Sequence, residues 1–550
     1  MAKPVILVVD DLPSSYDSLV KGTGQYDGGR LAREFDYVHL DCFAEVRQWY
    51  NRNRARFVAL IVQDVDFSHT TDERKLVDYP DILKPLQRTP DIKALQGFLI
   101  YGYIRQNNID RIAPVIFVSS RTGIESTSEF SEFIIRPGYG LCSFVPESAV
   151  GDQYYPKLAA SIDTLAIRPL TDEQRNHWTT EHHMVVGRAR KMAFLVYEIE
   201  RIGPSDATVL LLGASGVGKE LVANALHRCS YRHVEGDPGR EYPLTVNMAA
   251  LSSNLVEDEL FGHQRGAFTG AVGERSGILE TAQGSTVFLD EIGDIGQETQ
   301  VKLLRAMEYH RIKRVGSSRE LRIDMRIVAA TNRSVPELQV RFRPDFYGRL
   351  VQHCIPVPSI RERWENEPAD CVEADIEDIA HYVIQIMNAN PRHKRQLGIE
   401  RTAVKFIRQV VQQHVDGSND LLDGNVRTLR NIIERAYERA QYDGSAEIGF
   451  GHVMPALGMV RLLSTQTPRP SGSVPRPRDS SATSGTDRPS TSDAGPLQAA
   501  VGTLALHEIE GQAIREALQR TQNNQTRAAE LLGIHRDTLR RKMAEHDLGA

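Results

Sequence analysis

The stretch that decides the fold is TVLLLGASGVGKELVANALH, Thr208–His227. It opens on a β-branched and leucine-rich run, breaks into glycines, then resumes with apolar residues at helical spacing. Gly213, Gly218 and Lys219 fit the pattern G-x-x-x-x-G-K, so Gly213, Ala214, Ser215, Gly216, Val217, Gly218, Lys219 and Glu220 read as one phosphate-binding turn. In such a turn backbone N–H groups wrap phosphates at a helix N-terminus, and the lysine reaches the outer ones. The Ser or Thr that usually follows the lysine and binds magnesium is Glu220 here.

Downstream, STVFLDEIG is a buried-strand run ending in Asp290 and Glu291. One carboxylate at a strand end suits a Mg²⁺ water shell, and its neighbour can orient the attacking water. MRIVAATN makes a further strand, ending in Thr331 and Asn332, polar groups placed to sense a terminal phosphate. Three strands delivering polar residues at their C-terminal ends match an open α/β sheet that binds nucleotide at its edge. Arg343 and Arg349 follow, six residues apart. An arginine supplied across a subunit boundary stabilises transferring phosphate charge, although surface salt bridging explains the same pattern. The segment Ala374–Leu463 is helical in pattern, with Arg427 at the start of an amphipathic helix.

The remainder of the chain sets the boundaries. At 550 residues it has room for two to four domains, and its 41% hydrophobic and 25% charged content is that of globular protein. No apolar run spans a bilayer, and the start MAKPVILVVDDLP turns acidic where a signal peptide stays apolar. Cys42, Cys142, Cys229, Cys354 and Cys371 are scattered, which suggests reduced thiols in a cytoplasm. The net charge of −6 gives no overall pull on nucleic acid, so a DNA-binding surface must be local. Ser464–Pro496 carries one aliphatic residue larger than alanine and reads as a disordered tether. The expected organisation is a regulatory domain over 1–167, a linker over 168–183, a nucleotide-binding domain over 184–463, a disordered linker over 464–496 and a small domain over 497–550.

The small domain scans as three helices. Ile509, Ile514 and Leu518 fall near helical spacing, Ala528 and Ala529 permit close helix packing, and Gly533 marks a turn. Arg536, Thr538, Arg540, Arg541 and Lys542 then load a short basic helix, the layout of a helix-turn-helix whose second helix enters the major groove. At the front, PVILVVDDLPSS ends a strand in Asp10 and Asp11, FVALIVQDVDFS ends one in Asp64, and APVIFVSSRTG ends one in Ser119. Three carboxylates at strand ends make a magnesium-dependent pocket.

One further stretch is unusual. ELFGHQRGAFTGA, Glu259–Ala271, sets Phe268 and Thr269 between glycines, an apolar tip on a mobile loop. With GASGVGKE and FLDEI, this string resembles the AAA+ domain of sigma-54-dependent transcriptional activators, the bacterial enhancer-binding proteins, over roughly Val186–Ala456. The resemblance implies a P-loop α/β domain with a helical lid that hydrolyses ATP with Mg²⁺ in a hexameric ring, and a glutamate after the lysine is normal in that family. It implies that Gly266, Ala267, Phe268, Thr269, Gly270 and Ala271 grip sigma-54 RNA polymerase. It makes Lys219 the phosphate lysine, Asp290 and Glu291 the magnesium and water-activating carboxylates, and Asn247 a restraint on that glutamate. Thr331 and Asn332 become sensor I, Arg343 and Arg349 the arginines acting on a neighbouring subunit, and Arg427 sensor II.

The tail is similar to the Fis-type domain that ends this family and binds enhancer DNA as a dimer. The front resembles a doubly wound response-regulator receiver, with Asp64 as phosphoacceptor, Ser119 as switch hydroxyl, and a sensor histidine kinase as partner. Two features depart from a receiver: Val145 stands where the lysine is expected, and His69–Arg111 is about twice the length required. Phosphorylation by an altered route and control by contact or ligand both remain open. The nucleotide domain also departs, with Tyr347-Gly348 for a tyrosine pair, Asp423-Gly424 for Pro-Gly, and an acidic insertion, WENEPADCVEAD, after Arg363. A repressor or scaffold of the same fold would have a broken loop or damaged carboxylate pair, and a chaperone motor would have no use for a helix-turn-helix.

Overall fold

The computed structural model describes most of residues 3–464, the longest gaps being 70–95, 120–141 and 147–153, together with scattered positions between 514 and 543. The chain divides into two compact units, the first holding residues 1–358 and 366–371, the second residues 359–365 and the chain from 372 onward.

The first unit contains two parallel five-stranded sheets. The N-terminal sheet has the order β2-β1-β3-β4-β5, from β1 Val5–Val9, β2 Asp36–Leu40, β3 Val58–Asp64, β4 Val115–Ser119 and β5 Cys142–Pro146. β1 is apolar at every position because both faces of the sheet are covered. Val5, Leu7 and Val9 join one core cluster while Ile6 and Val8 join the other. Val145, where a lysine would complete a receiver, is buried among Ile116, Val118 and Leu158.

The second sheet has the order β14-β6-β13-β10-β7, from β6 Val209–Leu212, β7 Leu244–Asn247, β10 Ser285–Asp290, β13 Met325–Thr331 and β14 His353–Pro356. β13 lies between β6 and β10, and all seven of its residues are buried. Two short antiparallel pairs extend from this domain: β8 Gly262–His263 with β9 Arg275–Ser276, and β11 Arg311–Lys313 with β12 Glu320–Arg322. Arg326 of β13 is 1% exposed and donates to the carbonyls of Ile202, Gly203 and Leu226 at 3.1, 2.7 and 3.4 Å. It thereby satisfies orphan carbonyls at the ends of helices Arg190–Ile202 and Lys219–Arg228.

The polar run 168–183, read as a linker, contains helix Asp172–Glu181. Thr171 and Gln174 close a reciprocal capping box at its start. Trp178 is 1% exposed and donates to Glu200 of the next helix at 3.3 Å. Asp172 and Glu173 of this polar run are the first-turn charges of a capped helix.

The second unit is helical, with helix Ile360–Trp364, all but the first three residues of helix Ala369–Ala389, and helices Arg401–Val415, Asn425–Asp443 and Phe450–Ser464. In the tail Ile514, Leu518, Ala528, Ala529, Leu539 and Met543 are all buried, the apolar set expected of a three-helix core. Among the described residues no helix is long and apolar enough to cross a membrane.

Candidate nucleotide site, loop and acidic pocket

The phosphate turn leaves β6 at Gly213, whose N–H donates to the Thr331 carbonyl at 3.2 Å. A Cβ at Gly213 would lie 2.7 Å from the Val357 carbonyl oxygen, so the close approach of β14 requires glycine. Gly216 and Gly218 have φ of +77° and +99°, and Gly218 caps the helix that begins at Lys219. The Lys219 ammonium is 8% exposed and donates to the carbonyls of Gly213 and Ala214 at 2.9 and 3.2 Å. Its nitrogen also lies 4.0 Å from a Glu291 carboxylate oxygen.

Asp290 ends β10 in register with Asn247 of β7. The Asn247 amide donates to Asp290 at 3.4 Å, while its oxygen accepts from the N–H groups of Ala249 and Ala250. Register thus sets the Asn247 side chain against Asp290, the carboxylate preceding the one it was expected to restrain. Glu291 sits at φ +53°, a left-handed conformation that a non-glycine residue adopts at a cost. Its carboxylate accepts the Asn332 N–H at 3.4 Å. Thr331 is fully buried, and its hydroxyl oxygen accepts the Arg333 N–H at 3.1 Å. Of the two residues expected to sense the terminal phosphate, Asn332 is the exposed one, beside Glu291.

Arg343 is the N-cap of helix Pro344–Leu350 and Arg349 lies in its last turn. Arg343 is exposed and grips Asp345 through two nitrogens at 3.1 and 2.9 Å, which raises its pKa further. Arg349 donates to Gln352 at 3.2 Å. Arg427 is exposed on helix Asn425–Asp443 in the second unit. Asn425, which the sequence did not single out, is buried at φ +55° and accepts the Ile360 N–H at 3.0 Å, capping helix Ile360–Trp364. No local pattern signals it, because its side chain caps a helix 65 residues earlier rather than its own.

The loop bearing Phe268 rises from β8 and returns through β9. Phe268 is 47% exposed, its ring 5.0 Å from that of His263 at an interplanar angle of 66°. His263 contacts Asp258 at 2.5 Å, and Arg275 ties Asp258 and Glu259 at 3.0 and 2.6 Å. Burial would raise the Asp258 carboxyl, but His263 and Arg275 outweigh it and hold it below the usual range. Gly266 and Ala271 are joined by a backbone hydrogen bond of 2.9 Å. Thr269 and Gly270 lie outside the described residues. The sequence reading located the tip but missed its base, Asp258, His263 and Arg275, which pair across residues 5 to 17 apart.

In the N-terminal sheet, ligand oxygens of Asp10, Asp11 and Asp64 lie within 4.8 Å of one another. Burial, then the charge of Asp10, pushes the Asp64 carboxyl up to about 8. An all-oxygen set of three carboxylates fits a hard divalent cation, whose charge would offset that repulsion. Ser119 is 1% exposed at the end of β4. In the tail, Arg540 is exposed, whereas Arg536, Thr538, Arg541 and Lys542 lie outside the described residues.

Comparison with known proteins assigns residues 185–356 to the sigma-54 interaction domain and residues 505–546 to the bacterial regulatory protein Fis family. The transcriptional regulatory protein ZraR of Salmonella typhimurium is 37% identical, covering 88% of this chain and 99% of its own. The nitric oxide reductase transcription regulator NorR2 of Cupriavidus necator is 35% identical over 64% of this chain and 61% of its own. The crystal structure of NtrX from Brucella abortus in complex with ADP is 22% identical, covers 99% of this chain and 100% of that one, and superposes with a TM-score of 0.42.

Proposed function

The chain belongs to the sigma-54-dependent transcriptional activators, ATPases that bind DNA through a helix-turn-helix, and on that premise we propose how its own residues divide the work. Lys219 and the N–H groups of Gly213–Glu220 bind the ATP phosphates. Asp290 would hold a Mg²⁺ ion, which supplies charge neutralisation at the phosphates. Glu291 orients the attacking water, and the Asn247–Asp290 and Asn332–Glu291 contacts shift when the terminal phosphate is lost. Arg343 and Arg349 reach the nucleotide of a neighbouring subunit in a hexameric ring, and Arg427 reports from the lid. Phe268 and Thr269, flanked by Gly266, Ala267, Gly270 and Ala271, press on sigma-54 and remodel the stalled polymerase complex.

The N-terminal unit, bounded near residue 167, regulates this cycle through its acidic pocket. Asp64 is the group a histidine kinase would phosphorylate, with Asp10 and Asp11 holding Mg²⁺ and Ser119 nearby. Arg536, Thr538, Arg540, Arg541 and Lys542 meet enhancer DNA, two tails together. The protein works in the bacterial cytoplasm.

The observation that carries the reading is the convergence of Lys219, Asp290, Glu291 and Asn332 at one edge of one sheet. The test is transcription in vitro from a sigma-54 promoter. Open complexes are expected with ATP and not with a non-hydrolysable analogue; equal yields with both would sink the proposal.

A further inference from the structure

Two departures noted in the sequence, the long segment His69–Arg111 and the acidic insertion after Arg363, have no evident task in ATP hydrolysis. Asp110, near the end of the first, and Glu367, near the start of the second, meet on Arg190, the first residue of helix Arg190–Ile202. From the N-terminal unit, Asp110 accepts the Arg190 guanidinium at 2.6 Å. From the insertion, Glu367 accepts the Arg190 backbone N–H at 2.8 Å, satisfying an orphan donor of that helix.

The junction is built rather than incidental. The Asp110 side chain is fully buried. It also accepts the Tyr50 hydroxyl at 3.0 Å and the N–H groups of Ile112 and Ala113 at 3.1 and 3.0 Å. Buried Arg105 donates to the Asp110 carbonyl at 2.5 Å. Burial alone would raise the Asp110 carboxyl, but Arg190 and Arg105 outweigh it and hold it low. Around this polar centre Ile112 and Ile167 pack against Ala193 and Phe194 of the helix. A buried carboxylate with this many partners is costly to leave half-satisfied, so the contact is either made or fully released.

The helix leads from there to the nucleotide site. At its far end the carbonyls of Ile202 and Gly203 are gripped by Arg326 of β13. The other end of β13 delivers Thr331 and Asn332 beside the phosphate turn. Arg326 also holds Leu226, near the end of the helix that Lys219 begins. A helix of 13 residues spans about 20 Å as one stiff body.

We propose that Arg190 is a coupling hub, through which the acidic-pocket unit and the nucleotide site sense each other, with Asp110 holding its side chain and Glu367 its backbone. This rests on the reading that the N-terminal unit regulates the ATPase. Because coupling between two sites is reciprocal, nucleotide bound at Lys219 must alter the Asp110 side of the junction.

The test is hydrogen exchange on the full chain, with ADP and with a non-hydrolysable ATP analogue. In the wild type, exchange of the peptide 105–113 differs between the two nucleotides by about five-fold or more. In Arg190→Ala and in Glu367→Ala that difference vanishes, while nucleotide still protects Gly213–Lys219. Glu367 is only partly buried, so its variant decides the matter should Arg190→Ala fail to fold. A wild-type peptide 105–113 indifferent to nucleotide, or a difference that survives in the folded variants, overturns the proposal. Absent protection at Gly213–Lys219 in the wild type overturns the nucleotide-site reading instead.

Discussion

Gly262 offers a way to disable the sigma-54 loop without touching the ATP site. It stands where helix Ser253–Phe261 turns into β8, at φ +69° and ψ 178°. Only glycine takes that conformation freely, and another residue there costs about 1–3 kcal/mol. A Cβ would lie 2.2 Å from the Arg275 carbonyl oxygen and 2.5 Å from the Gly277 nitrogen. Both are backbone atoms, so no side chain can rotate away, and the overpacking adds about 1–3 kcal/mol. The sum for Gly262→Ala is about 2–6 kcal/mol. Against it stand the two-residue β8–β9 pair and the Val315 N–H to Gly262 carbonyl bond of 2.8 Å, each hydrogen bond worth about 1 kcal/mol. The hairpin gives way before the sheet does.

The consequence is a separation of two activities. The phosphate turn follows β6 and the Asp290-Glu291 pair closes β10, strands of a sheet that does not include the hairpin, so ATP turnover should stay within about two-fold of wild type. Open-complex formation should fall by about 30-fold or more, the equivalent of the 2 kcal/mol lower bound. Both are measured on one preparation, by phosphate release and by promoter melting. Wild-type melting by Gly262→Ala would refute the claim that the hairpin base positions the tip, and parallel loss of both activities would refute its independence from the ATP site.

Phe268→Ala should keep ATP turnover within about two-fold and abolish open complexes, and full transcription from it would remove the aromatic tip from the mechanism. Lys219→Ala should lower ATP turnover by about 10²-fold or more, as expected when a preorganised charge is withdrawn from the phosphates. His227 is fully buried, its Nδ1 2.9 Å from the Thr286 hydroxyl and its Nε2 2.9 Å from the Arg240 carbonyl, and burial first of all lowers its pKa to about 4. The folded state thus binds fewer protons than the unfolded below pH ~6.5, so stability falls from there towards pH ~4 by up to about 3 kcal/mol. Urea titrations should show that slope in the wild type and not in His227→Gln. Acetyl phosphate should add one phosphoryl mass to the wild type and none to Asp64→Ala, and an unmodified wild type would leave the acidic pocket with a non-phosphorylated role.

What was legible in the sequence is what lies within one strand–turn–helix. Lys219 and its glycines, the Asp290-Glu291 pair and Asn332 each sit at a strand end, and alternation or apolar runs reveal strand ends directly. The same logic found the N-terminal sheet, because β1, β3 and β4 are buried on both faces and read as unbroken apolar runs. Asn247 shows the limit. Its neighbour is Asp290 and not Glu291 because parallel pairing of β7 with β10 sets that register, and a register is a property of two strands. The linker reading of 168–183 rested on composition, which hides its helix because a short, strongly capped helix with one buried tryptophan looks polar overall.

The junctions were illegible for a further reason. Arg190 reaches Asp110 across 80 residues and Glu367 across 177, and no local pattern distinguishes it from any surface arginine at a helix start. What the sequence did supply was surplus: a receiver segment too long for its sheet and an acidic insertion that catalysis does not require. Ordering such segments costs conformational entropy that must be recovered by contacts. The sequence therefore signals that partners exist without saying which. That both surpluses close on the same guanidinium and its backbone is the reason to treat Arg190 as one device rather than two accidents of length.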